Sequence, residues 1–201
     1  MAVNMAQKRA RKAQRQKQLV ALKRRADALE ASLPARVGRA AQAPIRGCYL
    51  TDEIFSIGIG TLVLARGGYQ GHVTFASFLI DVFCLGIKDV MFAQAEDHQF
   101  EEYMDMSNAS SPMIAVDPSY ARKLLRELAV WAQSIGFAPH RDFAAMERMF
   151  GDVSADASDA VFQFGQEGRP AYIPGPSESA SQIRMRTALL DRYVGGAQLK
   201  S

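Results

Sequence analysis

Two apolar segments joined by a glycine-rich loop constrain the fold of this chain more than any other feature. Residues 57–66 and 72–83 are rich in Val, Ile, Leu and Phe, and Gly67-Gly68-Tyr69-Gln70-Gly71 lies between them. This spacing is typical of two antiparallel strands joined by a hairpin loop. The second segment is almost continuously apolar, which predicts a central strand covered on both faces. A short run at Cys48–Thr51 predicts a third strand, so we expect an antiparallel meander.

Local signals predict helices after the meander. A helix is expected to begin at Gly86 or Lys88, directly after the third strand. Asp117 followed by proline predicts the start of another helix, because the carboxylate caps it and proline suits the first helical position. Gly136 would end that helix. A further helix is predicted over residues 143–150.

The C-terminal third predicts one more hairpin and one more helix. Residues 160–164 and 171–173 flank a turn-rich segment and are expected to pair as strands. Ser179 and Gln182 form a capping box for a final helix that ends at about Val194. We therefore predict an α+β fold, in which the meander and the C-terminal hairpin pack with about four helices.

Basic residues predominate at the start of the chain, and acidic residues predominate in the remainder. Residues 1–25 contain nine Lys or Arg and no Asp or Glu. Through Arg46 the chain has twelve basic and two acidic residues, whereas the remaining 155 have twelve basic and nineteen acidic. A basic segment on an acidic body is typical of proteins that bind a polyanion, most often nucleic acid. The candidate phosphate-binding residues are Lys8, Arg9, Arg11, Lys12, Arg15, Lys17, Lys23, Arg24 and Arg25.

The basic segment is also expected to be helical. Residues 5–33 are mostly Ala, Gln, Lys, Arg and Leu, which favour helix. We divide the chain into a basic helical arm (1–33), a linker rich in Pro, Gly and Ala (34–47) and a single acidic domain (48–201). Apolar residues recur at helical spacing in the second half of the arm and could contact a protein partner in a coiled coil: Leu19, Leu22, Leu29 and Leu33.

Composition argues against several classes of protein. No stretch approaches the ~20 apolar residues of a membrane-spanning helix, so we expect no transmembrane segment and a cytoplasmic location. Cys48 and Cys84 lie in apolar runs without the spacing of a zinc site, and we expect both to be reduced and buried. The sequence does not identify a cofactor.

Four residues could form a catalytic centre if the chain is an enzyme. Asp81 interrupts an apolar strand, Asp89 follows it closely, and His140 and Asp142 lie two apart in a predicted connection. Together they could bind a divalent metal for phosphodiester hydrolysis, with Lys88 contacting a phosphate. The structural alternative is favoured: Asp81 would pair with Lys88 or an arginine, and Asp89 and Asp142 would cap helices.

Three segments carry a resemblance to known sequences. They are FLIDVFCLGIKD at 78–89, GFAPHRDF at 136–143 and FQFGQEGRPAYIPGP at 162–176. Together they resemble a functionally uncharacterised family of bacterial proteins. The resemblance covers about residues 46–194 and implies that the three segments belong to one compact body.

The sequence thus leaves three functional hypotheses. The leading one is a nucleic-acid-binding protein, RNA-binding or ribosome-associated in preference to DNA-binding, that contacts phosphates through its basic N-terminal helix. The first alternative is a metal-dependent phosphodiesterase or nuclease that uses the four residues above. The second alternative is a protein–protein adaptor that binds through the leucines of residues 19–33.

Overall fold

The computed structural model describes residues 32–67, 71–175 and 178–198, with side chains as far as residue 193 in the last helix. The basic arm, including its predicted helix over residues 5–33, lies almost entirely outside the described residues. The helices are α1 (Leu33–Ala40), α2 (Ile54–Ile57), α3 (Asp97–Ser110), α4 (Pro118–Ser134), α5 (Phe143–Glu147) and α6 (Ala180–Gln198). The strands are β1 (Ile45–Thr51), β2 (Ile59–Gly67), β3 (His72–Asp81), β4 (Gly86–Glu96) and β5 (Met113–Ala115).

The five strands form one antiparallel sheet in the order β4-β3-β2-β1-β5. Strands β2 and β3 pair along their length, from Ile59 with Asp81 to Gly67 with Val73, so the predicted meander is confirmed. Residues 68–70 of the predicted loop lie outside the described residues. The α+β class is also confirmed.

Strand β3 is covered on both faces, as its apolar sequence predicted. Phe78 belongs to the main hydrophobic cluster, together with Leu124 and Leu128 of α4. Phe75 belongs to a second cluster and packs against Phe100 of α3, with ring centroids 5.2 Å apart. The sheet is therefore held between helices, which explains why β3 lacks polar alternation.

The prediction of a helix beginning at Gly86 or Lys88 is wrong, because residues 86–96 form strand β4. From Lys88 onward the exposure of successive side chains largely alternates, and Val90 and Phe92 pack against the main cluster. A period of about two residues is typical of a β-strand, and this strand pairs with the edge of β3. The helix follows at α3, where Glu96 and Gln99 form a capping box that was not among the predicted helix starts.

The predicted C-terminal hairpin is also wrong. Residues 158–175 form no strand, and an isolated bridge between Gln166 and Arg169 closes a tight turn. The segment bonds instead to the turn after β3: the Gly165 N–H donates to the Val82 carbonyl at 2.8 Å, and the Ala171 N–H donates to the Phe83 carbonyl at 2.9 Å. These bonds replace pairing between the two expected strands.

The segment predicted as a linker is structured. Helix α1 occupies its first part, with Pro34 in the first turn, and β1 begins at Ile45. Val37 and Ala40 of α1 are buried in the main cluster. Residues 33–40 of this segment therefore pack with the body.

The other helix boundaries follow the local signals. Asp117 caps α4 by accepting a hydrogen bond from the Ser119 N–H at 2.7 Å. Helix α5 continues as a short 3₁₀ helix to Phe150, and Gly151 ends it. The Ser179 N–H donates to the Gln182 side chain at 2.8 Å at the start of α6.

Both cysteines are buried and free, as expected from their apolar surroundings. Burial raises the pKa of the Cys48 thiol to about 12, and it does the same for Cys84. Neither thiol therefore has the thiolate character of a reactive cysteine.

Candidate functional site

Asp81 lies at the end of β3 and holds the turn that leads into β4. Its side chain is 6% exposed, and Oδ1 accepts hydrogen bonds from the backbone N–H groups of Phe83 at 3.0 Å and Cys84 at 2.9 Å. Burial raises the pKa of Asp81, although these N–H groups and the charge of Lys88 act in the opposite direction. Asp81 thus supports the turn through backbone bonds rather than through the ion pair that we expected.

A cavity of about 240 Å³ opens beside this turn. Asp81 and Lys88 contribute its charged groups, and the other lining residues are apolar or glycine. Gly58 has a φ of 89°, and a Cβ there would lie 2.3 Å from the Phe83 ring. The close approach of the residue before β2 to the turn therefore requires glycine at this position. The remaining lining residues are Ile57, Ile59, Phe83, Ala171, Ile173, Pro174 and Gly175.

Glu178 links β4 to helix α6 beside the cavity. Its Oε1 lies 2.6 Å from Nη1 of Arg186 and 3.5 Å from Nζ of Lys88, and its Oε2 accepts a hydrogen bond from the Tyr172 hydroxyl. Burial alone would raise the pKa of Glu178, but the hydrogen bonds from Tyr172 and Arg186 and the charges of Arg186 and Lys88 lower it to about 2. Glu178 therefore remains ionised at neutral pH and pairs with both cations.

Glu178 and Arg186 were not among the residues predicted from the sequence. Arg186 could have been found from helical spacing, because Ile183, Arg186 and Leu190 share the partly buried face of α6. Glu178 follows a turn and lies 90 residues from Lys88, so no local pattern indicates their contact.

The other three candidate catalytic residues form a separate surface cluster. His140 Nε2 lies 3.7 Å from Oδ1 of Asp89, and His140 Nδ1 lies 3.9 Å from Oδ2 of Asp142. Within the part of the chain that the structure describes, Asp81 makes no hydrogen bond or ion pair with any of the three. The four candidates therefore divide into two groups.

His140 also contacts the backbone of its neighbour. The Asp142 N–H donates to His140 Nδ1 at 3.3 Å. Among residues 32–67, 71–175 and 178–198, no group of three or more His, Cys, Asp or Glu is placed to hold a metal ion.

The expected helix caps in this region are not formed by side chains. Asp89 lies on strand β4, where its carboxylate accepts from the Val90 N–H at 2.8 Å. Asp142 occupies the position before α5, but its side chain makes no capping hydrogen bond. Both residues are partly or fully exposed and contact His140 instead.

The residues predicted to bind nucleic acid, from Lys8 to Arg25, lie outside the described residues. So do three of the four leucines predicted to contact a protein partner, here called the leucine seam: Leu19, Leu22 and Leu29, with Leu33 as the fourth. Leu33 is described, and it packs against the main hydrophobic cluster of the body. The last leucine of the seam therefore contributes to the fold of the body.

Replacing Asp81 tests whether it acts as an acceptor for the turn. We expect Asp81→Asn to change the free energy of unfolding by less than about 1 kcal/mol, because an amide oxygen can still accept both N–H bonds. Asp81→Ala is expected to cost about 2–3 kcal/mol, because two buried N–H groups lose their acceptor. Urea denaturation measures both changes.

Asp52→Ala is the matched control, because the Asp52 carboxylate makes one local bond, to the Glu53 N–H at 2.9 Å, on an exposed surface. It is expected to cost less than about 0.5 kcal/mol. Equal destabilisation by asparagine and alanine at position 81 would show that the negative charge, rather than the acceptor, is required.

Comparison of the chain with protein-family models, curated proteins and solved structures finds no match. Within the described residues, no helix combines the length and the apolar character needed to cross a membrane.

Proposed function

We propose that this protein binds nucleic acid, RNA or ribosomal RNA in preference to DNA, through residues 1–25. The observation that carries the proposal is the charge division: nine basic and no acidic residues precede a body in which acidic residues predominate. Lysine and arginine clusters contact phosphates and release counterions, which provides affinity without sequence specificity. An acidic body repels the same phosphates, so contact would be confined to the basic segment.

The attachment of α1 supports this proposal. Leu33 packs against the main cluster, and Val37 and Ala40 are buried directly after it. The described residues that follow the basic segment in the sequence are therefore part of the packed body.

The neighbouring arginines of the body already have partners. The Arg36 guanidinium lies 4.9 Å from the centroid of the Phe92 ring, and Arg46 forms an ion pair with Asp97. We therefore assign the phosphate contacts to the nine basic residues before position 26.

Neutralising the basic segment is expected to abolish binding. We would measure the fluorescence anisotropy of labelled RNA and DNA oligonucleotides over a salt series with the full chain. We expect a log–log salt slope of about −3 to −6, which corresponds to ~4–8 phosphate contacts at ~0.7–0.9 each. In the full chain, glutamine at Lys8, Arg9, Arg11, Lys12, Arg15 and Lys17 is expected to weaken binding by at least about 100-fold at low salt.

A variant with glutamine at Arg141, Arg169 and Arg184 provides the control, since all three are exposed on the body. It should retain the affinity and the salt slope of the unmodified chain. If this control loses binding while the N-terminal variant keeps it, or if the unmodified chain binds neither nucleic acid, the proposed function is wrong.

A further inference from the structure

The cavity beside the β3–β4 turn has the composition of a small-molecule site. Its walls are mainly isoleucine, phenylalanine and proline, and the rim residues Ile57, Ile59 and Ile173 are 44–60% exposed. Ligand cavities are typically apolar with a few polar groups that fix the orientation of the ligand. At about 240 Å³, this cavity lies just below the usual range of ~300–1,000 Å³, which favours a small ligand over a nucleotide.

Two opposite charges line the cavity without forming an ion pair with each other. The N–H bonds from Phe83 and Cys84 reach Oδ1, and the Leu85 N–H also stabilises the carboxylate. No cation of the described residues lies within 4 Å of it. Asp81 is nonetheless 94% buried, since only 6% of its surface is exposed. A buried carboxylate of this kind favours a ligand that carries a hydrogen-bond donor or a positive charge.

Lys88 has unused hydrogen-bonding capacity. An ammonium has three donors, and the one acceptor that Lys88 reaches among the described residues is Oε1 of Glu178 at 3.5 Å. The same oxygen lies much closer to Arg186, at 2.6 Å. Lys88 can therefore contact a ligand anion without leaving Glu178 unpaired.

We propose that this cavity binds a free α-amino acid with an apolar side chain. The α-ammonium would contact Asp81, the α-carboxylate would contact Lys88, and the side chain would pack against the isoleucines. A ligand with a single charge would displace water from both groups while pairing with only one of them, which costs affinity. The site is distinct from the basic segment, so it does not depend on the proposed nucleic-acid binding.

Three ligands with related aliphatic chains test the proposal by isothermal titration calorimetry with the full chain. L-leucine has both charges, 4-methylpentanoate lacks the ammonium, and 3-methylbutylamine lacks the carboxylate. We expect a Kd between about 10 µM and 1 mM for L-leucine, and at least about tenfold weaker binding for each of the others. Equal binding of L-leucine and either singly charged analogue overturns the proposal, as does no binding of L-leucine, L-isoleucine or L-phenylalanine at about 10 mM.

Two variants assign the binding to this cavity. Lys88→Met removes the ammonium while Glu178 keeps its contacts with Arg186 and Tyr172, and Ile173→Asp alters a wall residue that is 60% exposed. Each is expected to weaken L-leucine binding at least about tenfold with an unchanged circular dichroism spectrum. Val161→Asp is the matched control, because Val161 is 92% exposed and lies outside this cavity. Unchanged binding by both cavity variants overturns the assignment.

Discussion

Replacing Arg66 with alanine is expected to lower the free energy of unfolding by about 3–4 kcal/mol. Arg66 is 6% exposed at the end of β2, and its guanidinium donates to three backbone carbonyls. Nε bonds to Met149 at 2.7 Å, Nη2 bonds to Phe150 at 2.8 Å, and Nη1 bonds to Ala43. One side chain therefore joins the sheet to the segment after α1 and to the 3₁₀ helix that follows α5.

The size of this destabilisation follows from the backbone carbonyls that would lose a hydrogen bond in the alanine variant. Three carbonyls would lose their donor, and two of them accept through bonds that are themselves buried. An unsatisfied buried polar group costs about 1–3 kcal/mol, and part of that cost is offset because a buried charge is removed. Burial lowers the pKa of Arg66, which indicates the cost of holding the charge there.

Urea denaturation monitored by the fluorescence of Trp131 measures the change. Arg66→Lys is expected to recover less than half of the loss, because an ammonium cannot reproduce the planar fork that reaches three acceptors. Arg148→Ala is the control and is expected to cost less than about 0.5 kcal/mol, since Arg148 is exposed. A loss below about 1 kcal/mol for Arg66→Ala would contradict this account.

Gly86→Ala is expected to cost about 2–4 kcal/mol at the contact between β4 and α4. Gly86 has a φ of 69°, and an added Cβ would lie 2.5 Å from the Cβ of Ala132, which is fully buried. The left-handed conformation costs about 1–2 kcal/mol with any side chain, and the overlap between the helix and the strand adds about 1–2 kcal/mol.

A second glycine and a second-site change separate these two causes. Gly136 has a φ of 93°, and among the described residues, its chain neighbours apart, no atom lies within 4 Å of an added Cβ. Gly136→Ala should therefore show only the cost of the left-handed backbone conformation. Adding Ala132→Gly to Gly86→Ala should recover about 1 kcal/mol relative to the sum of the single changes. Simple additivity in this double-mutant cycle would show that overlap with Ala132 is not the cause.

The cavity and the catalytic hypothesis show what a sequence pattern can identify. Asp81 was singled out because a carboxylate interrupts an apolar strand, and it does lie at the cavity. Its hydrogen-bond partners are backbone N–H groups two and three residues away. Every residue type except proline has such a group, so the neighbouring side chains do not indicate this bonding. Glu178, which comes 90 residues after Lys88, could be placed there only by the packing of α6.

The sequence by itself determined the elements whose signals are local. The meander follows from apolar runs around a glycine-rich loop, and the start of α4 follows from Asp117 and Pro118. Capping, turn formation and side-chain periodicity depend on residues within a few positions of one another, so they can be predicted without the fold.

Only the tertiary structure decided the elements that need a distant partner. Residues 86–96 are a strand because β3 offers a free edge beside them, and residues 160–173 are not a hairpin because their backbone bonds to the turn after β3. The three carbonyls bound by Arg66 and the charges around the cavity likewise come from segments far apart in the chain. Hydrogen-bonding partners of this kind are selected by the energy of the whole packed body, which no local window of sequence contains.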